Sequence, residues 1–288
     1  MYLIGNTECN MNTVSIITAS YNYAHCIGEA ITSVLKQTFP DWELIIVDDG
    51  SKDNSLEVIK LFCEKDRRIK LFTHDGNANR GLCETLKLGI SNASGKYIAF
   101  LESDDKWMPE NLSKKIRVFD LHPEVALVDD EVELFGEKTL FSRYDDYWQI
   151  REKFFSHKSF PTNIFYGLFY ENMIPTFSCA ITRADALREC SFDYFYAPHL
   201  DRSLWLQICR KHFFFHINEK LTCWRIHSSS YITRENKSYR RNFLRKAYHL
   251  LLPCYNKKPY HPGFLFSLFM FIGCNILRAI RNKKSKTE

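Results

Sequence analysis

The chain has 288 residues, 45% hydrophobic and 15% aromatic, which fits one large folded domain or a domain with an appendage and excludes a disordered or low-complexity protein. Its ten cysteines show no C-x-x-C pair and no regular spacing, so they point to neither a zinc site nor a disulfide framework, and a reducing cytosol is expected. Net charge is +5, yet 14 Lys/Arg face only Glu235 and Glu288 from Arg225 onward, so an acidic body carries a basic tail suited to a polyanionic surface.

The opening MYLIGNTECNMN lacks a basic n-region and has too short an apolar run for a signal peptide. Val14-Ser15-Ile16-Ile17-Thr18 predicts a short buried strand that breaks at Ser20-Tyr21-Asn22. Ile27, Ala30, Ile31, Val34 and Leu35 recur at helical spacing up to Phe39-Pro40. Leu44-Ile45-Ile46-Val47 predicts a second strand, ending in Asp48-Asp49-Gly50-Ser51. A helix through Leu56, Ile59 and Cys63 follows, then a strand at Ile69-Lys70-Leu71-Phe72 and a helix marked by Leu82, Leu86, Ile90 and Ala93.

The next strand, Tyr97 to Leu101, runs straight into Glu102, Asp104 and Asp105. Carboxylates so close repel one another and lose solvation at a sheet edge, a cost that a bound cation turns into attraction. The plainer alternative is that these residues cap the helix expected after Pro109. That helix carries Leu112, Ile116 and Phe119, and Val125 to Val128 predicts a further strand. Beyond about residue 130 the periodicity fades and aromatics crowd in, which reads as a lid or acceptor region of loops and short helices. Leu204 to Cys209 predicts a helix and Phe213 to Ile217 a strand.

Near-continuous Val/Ile/Leu strands alternating with amphipathic helices imply a largely parallel sheet covered on both faces. Ligands bind such sheets beyond the carboxyl ends of the strands, where the polar clusters lie. Other signals fail. Gly89 to Tyr97 has five residues between its glycines where a phosphate loop needs four, and runs from helix to strand. The pattern G-x-G-x-x-G is absent, and the Phe run between His212 and His216 favours a strand over a metal pair.

Six stretches in order resemble the inverting family 2 glycosyltransferases, enzymes of the GT-A fold. They are VSIITASYN (14–22), SVLKQTFPDWELIIVDDGSKD (33–53), NRG (79–81), SGKYIAFLESDD (94–105), LDRSLWL (200–206) and WRIHSSS (224–230). The resemblance implies an α/β fold with a mixed, mainly parallel sheet flanked by helices. It also implies a nucleotide-diphospho-sugar donor, a UDP-sugar by expectation, a Mn²⁺ or Mg²⁺ ion, and transfer with inversion. Carried over by position, Asp49 would accept from the base, and Ala19 and Tyr21 would line the base and ribose pocket. Asp104 and Asp105 match the metal and ribose element, with their division of labour open. Asp201 falls at the general-base position, for which a helix N-cap is the bland alternative, and Arg225 and His227 would assist at the diphosphate. The sequence departs from the family at Leu200, where Glu is usual, and at Glu102, where Asp is commoner.

The expected organisation is a nucleotide-sugar-binding half over 12–130, an acceptor and catalytic-base half over 131–232, and a basic helical tail over 233–288. In that tail Gly263 to Leu277 carries no charge and is closed by Arg278 and further basic residues. As a helix it is about 22 Å long, short of the roughly 30 Å hydrocarbon core. An in-plane helix on the inner face of the cell membrane is therefore expected over a docked helix or a span, and no nucleic-acid partner. The Q-x-x-R-W signature of polysaccharide synthases is absent, which favours single transfers to a saccharide or lipid-linked saccharide acceptor. The competing function is a non-catalytic nucleotide-sugar or membrane-binding module. A nucleotidyltransferase would need a glycine-rich, basic first loop, which TASYNYAHC is not.

Overall fold

Strand β1 (Val14–Ser20) and strand β2 (Trp42–Asp48) are buried almost throughout, which is why they read as unbroken apolar runs. A computed structural model of the chain describes residues 13–192, 200–230, 266–269 and 272. Between and after these strands come α1 (Ile27–Leu35), α2 (Ser55–Lys65), β3 (Ile69–Thr73), α3 (Leu82–Ser91) and β4 (Tyr97–Phe100). Next are β5 (Lys106–Trp107), α4 (Asn111–Leu121), β6 (Val125–Gly136), α5 (Asp145–Phe155) and α6 (Gly167–Tyr170). The second half closes with β7 (Ile181–Arg183), α7 (Ala184–Arg188), α8 (Leu200–Cys209) and β8 (Phe213–Ile226).

All eight strands form one sheet in the order β3-β2-β1-β4-β7-β6-β8-β5. Strands β3, β2, β1 and β4 run parallel, β7 pairs antiparallel with both β4 and β6, and β8 runs parallel to β6. The sheet is thus mixed and mainly parallel, as expected. Successive side chains of a strand face opposite ways, so Ile16, Leu44 and Ile46 join Ile27, Ile59 and Leu112 of α1, α2 and α4 in one core. Ile17, Ile45 and Val47 join Leu86, Leu204 and Leu168 of α3, α8 and α6 in the other. Burying each such side chain contributes about 1.5–3 kcal/mol, which holds both helix layers on the sheet.

The irregular half is more sheet-rich than its sequence suggests. Strand β6 continues through residue 131 to Gly136, crossing the expected division between the halves, and β8 continues to Ile226. Their ladder shifts register between Val125 and Leu127 and again around Glu131, which breaks the alternation a sequence reading depends on. A buried ionic cluster ties α5 to this ladder: Arg151 pairs with Asp129 at 2.8 Å and with Glu131, and His216 lies 2.8 Å from Asp129 and 3.0 Å from Glu131. His216 is therefore part of an ion cluster, and His212 precedes the strand. The glycines of the rejected phosphate loop serve packing. A Cβ at Gly89 would lie 2.6 Å from Ile17 and one at Gly95 2.5 Å from the Ser15 amide.

Of the tail, residues 266–269 are helical: Ser267 is buried, Leu268 packs on the core, and Phe266 lies 6.3 Å from Tyr166 in an edge-on ring contact. Ile272 is helical as well, and the rest of the expected membrane helix lies outside the described residues. Among the described residues no helix is long and apolar enough to cross a membrane.

Candidate active site

At the end of β2 the two consecutive aspartates face different ways. Asp48 is fully buried and shapes its own turn, accepting from the Gly50 and Ser51 amides at 3.1 and 2.8 Å and from the Ser51 hydroxyl at 2.6 Å. The turn requires φ of +78° at Gly50, where a Cβ would lie 2.7 Å from the Asn77 carbonyl oxygen. Asp49 reaches instead into the NRG segment. Its Oδ1 accepts from the Arg80 amide at 2.6 Å and its Oδ2 from the Gly81 amide at 2.9 Å, with His74 Nε2 3.6 Å away. A carboxylate has about four lone-pair sites, so capacity for another donor remains.

The end of β1 is knitted to this turn through Asn22, whose amide donates to Ser51 Oγ at 2.9 Å while its Oδ1 accepts from the Lys52 amide at 2.7 Å. Ala19 lies half-buried next to the end of the strand, and Tyr21 stands 44% exposed at the rim.

Beyond β4 the acidic loop also splits its aspartates. Asp105 turns inward, accepting from the Ser178 hydroxyl at 2.6 Å, the Thr176 hydroxyl at 3.2 Å and the Arg225 amide at 2.8 Å. Burial, and then the charges of Asp104 and Glu102, hold its carboxyl well above the ordinary range. Glu102 accepts from the Thr176 hydroxyl, and burial followed by the Asp104 charge pushes it up to about 8, with Asp201 adding to the effect. Neither aspartate caps a helix: α4 begins only at Asn111, past β5, and no side chain caps it.

Asp104 turns the other way, toward the crevice. Its Oδ2 lies 2.9 Å from His227 Nε2, with the two side chains 15% and 12% exposed. His227 Nδ1 is 2.7 Å from the Ser229 hydroxyl. The Arg225 guanidinium is already engaged at this rim: Nε donates to the Asp104 carbonyl at 2.8 Å, Nη2 reaches Glu29 at 2.9 Å, and the Phe135 ring lies 4.3 Å away.

Asp201 sits inside the first turn of α8, and its Oδ2 accepts from Asn172 Nδ2 at 2.6 Å. Its charge adds to the upward shift of the Glu102 carboxyl. The sequence offers no local signal for Thr176, Ser178, Asn172 or Glu29, because each meets its partner only through tertiary packing.

Among the described residues no group of three or more His, Cys, Asp or Glu side chains is arranged to hold a metal ion. The groups that could hold one are Asp104 and His227, a hard oxygen and an imidazole in direct contact at 2.9 Å, both partly exposed. That donor set suits an ion whose other positions are filled by substrate oxygens and water.

The Glycosyl transferase family 2 model matches residues 15–191, from β1 to just past α7. The chain belongs to glycosyl transferase family 2. Like other members it has relatives in several bacteria. It is 36% identical over 131 residues to UDP-Glc:alpha-D-GlcNAc-diphosphoundecaprenol beta-1,3-glucosyltransferase WfgD of Escherichia coli, covering 46% of this chain and 50% of that one. It is 39% identical over 103 residues to the putative teichuronic acid biosynthesis glycosyltransferase TuaG of Bacillus subtilis, covering 36% and 40%. The matches to these relatives span half or less of their length. Among solved structures, S. aureus TarS 1–349 aligns with a TM-score of 0.63 at 16% identity, covering 91% of this chain and 71% of that one. The mannosyltransferase PcManGT of Pyrobaculum calidifontis, solved with GDP-Man and Mn²⁺, aligns at 0.59 and 14%, covering 93% and 75%. These likenesses establish the fold, that of the GT-A neighbours.

Proposed function

We propose that this family 2 member transfers one sugar from a uridine-diphosphate sugar to a hydroxyl of a saccharide or lipid-linked saccharide, with inversion, in surface polysaccharide synthesis. The observation that supports the reading is that Asp49 follows β2 and the acidic loop follows β4 at the same end of parallel strands, with His227 brought 2.9 Å from Asp104. Asp49 accepts from the N3–H of uracil with its remaining lone pairs, on a floor fixed by the Arg80 and Gly81 amides. Tyr21 and Ala19 flank the base and ribose. Asp104 and His227 hold a Mn²⁺ or Mg²⁺ ion, and Asp105 fixes the loop from below. When bound, the ion supplies Lewis-acid neutralisation of charge on the leaving diphosphate. Arg225 keeps the Asp104 backbone in place and adds positive charge at the same rim.

Asp201 then takes the proton of the acceptor hydroxyl as that oxygen attacks the anomeric carbon. The bond from that carbon to the diphosphate oxygen breaks, and the nucleoside diphosphate leaves on the opposite face. The uridine donor is supported by the UDP-Glc named for WfgD and by the UDP-GlcNAc bound to TarS. The lipid-linked acceptor is supported by the diphosphoundecaprenol in the name of WfgD. A peripheral position on the inner face of the cell membrane is supported by the basic tail and by the exposed rings of Tyr166, Phe266 and Phe269.

The test is hydrolysis of UDP-Glc, UDP-GlcNAc and GDP-Man with Mn²⁺, alongside calorimetry of UDP with and without chelator. Turnover of a uridine donor and loss of UDP binding in chelator are expected. Unchanged affinity in chelator overturns the ion, and UDP binding without turnover of any donor favours a non-catalytic module.

A further inference from the structure

Resting on the assignment of Asp201 as the base, we propose that Asn172 is the positioning residue that aims its carboxylate at the acceptor. Asn172 Nδ2 donates to Asp201 Oδ2 at 2.6 Å, between segments 29 residues apart in the chain. A fixed donor on one carboxylate oxygen restricts rotation about the last side-chain bond and helps set the direction of the other oxygen.

The donor is itself immobilised from two sides. The Tyr147 hydroxyl donates to the Asn172 carbonyl at 2.9 Å, and Arg151 Nε donates to the next carbonyl, that of Met173, at 2.8 Å. Arg151 is buried and anchored on Asp129 of β6, so the chain at Asn172 is braced against the sheet. Tyr147 belongs to the same helix, α5. The aromatic-rich segment between β6 and β7 thereby acquires a role, since it carries the braces.

The chemistry of the side chain points the same way. Asn172 Oδ1 is buried with no hydrogen-bond partner, which is a cost. A smaller or apolar side chain would avoid that cost and would lose the contact with Asp201 as well, so the amide is explained by its Nδ2. An amide also orients a base without quenching it. Lys or Arg at this place would form an ion pair and lower the basicity of Asp201 far more.

The experiment measures transfer by the full chain with Mn²⁺ and the best donor, comparing Asn172→Ala, Tyr147→Phe and Asp201→Asn. Asn172→Ala is expected to lower kcat about 10- to 100-fold, with UDP affinity within about twofold. The acid limb of its kcat profile should move to higher pH, because the lost donor no longer favours the ionised carboxylate. Tyr147→Phe should lower kcat in the same direction by less. If Asp201→Asn abolishes turnover while Asn172→Ala keeps both kcat and the acid limb, the base assignment stands and the positioning role is overturned. If Asp201→Asn keeps turnover, the base assignment falls and this proposal with it. Should the Ala variant no longer bind UDP, the near-isosteric Asn172→Leu, which removes the donor without adding a charge, is measured instead, and the same two readouts decide.

Discussion

His227 Nε2 lies 2.9 Å from Asp104 Oδ2 across 123 residues of chain. The meeting is forced by β5, whose two residues pair with Thr222 and Cys223 of β8 and so lay the end of β8 against the acidic loop. The Arg225 amide then closes on Asp105, and the next residues deliver His227 to the other aspartate.

That division of labour separates the two aspartates experimentally. Asp104→Ala and His227→Ala should each weaken Mn²⁺-dependent UDP binding by about tenfold or more while the fold persists. Asp105→Ala leaves the Ser178 hydroxyl and the Arg225 amide without their acceptor and should cost about 3 kcal/mol of stability, read from chemical denaturation. Equal loss of ion-dependent binding in all three, without destabilisation, would refute the division.

Gly50→Ala places a methyl group against the Asn77 carbonyl at a left-handed backbone angle. A loss of about 1–3 kcal/mol is expected, together with weaker UDP binding, because the turn and the NRG segment must move apart. Calorimetry and a denaturant titration on the same sample measure both. A variant that binds UDP like the parent would show that the turn yields without disturbing Asp49.

His216 carries the clearest pH signal. Burial alone would lower its pKa, but the charges and hydrogen bonds of Asp129 and Glu131 outweigh both burial and Arg151 and raise it to about 9 from 6.5. The raised value means that its stabilisation is complete below about pH 6.5 and is lost as pH rises through about 9. The unfolding free energy, followed by denaturant titration, should therefore fall between pH 7 and 10 by an amount on the order of 3 kcal/mol. The Phe155 ring, stacked 4.4 Å from the imidazole, should keep His216→Gln folded but with a flatter profile.

The tail can be tested by point changes. Phe266 and Phe269 are 54% and 73% exposed, whereas Leu268 packs on the core. Replacing both phenylalanines by Ser should abolish sedimentation with anionic liposomes and leave the thermal midpoint within about 2 °C. Leu268→Ser should lower the midpoint. Liposome binding that survives the double change would move the contact to another surface.

The first half of the fold was legible because its strands are buried on both faces and its helices are amphipathic, so each element announces itself locally. The second half was not. At three residues, β7 is too short to show a period, and the bulges of the β6–β8 ladder interrupt its alternation. Pattern located the polar clusters that follow β1, β2 and β4, yet it could not say which acid of a neighbouring pair faces inward. Asp48 and Asp105 turned inward because hydroxyls and amides from their own turns or from remote segments satisfy them. Asn172 gave no signal at all, since its only claim to notice is a contact made after folding.

Asp49 grips the backbone amides of residues 80 and 81 and leaves the exposed Arg80 side chain outside the grip. Position 80 is therefore evolvable: its side chain can be exchanged while the clamp beneath it stays shut. Substitution there is expected to leave the stability of the fold nearly unchanged.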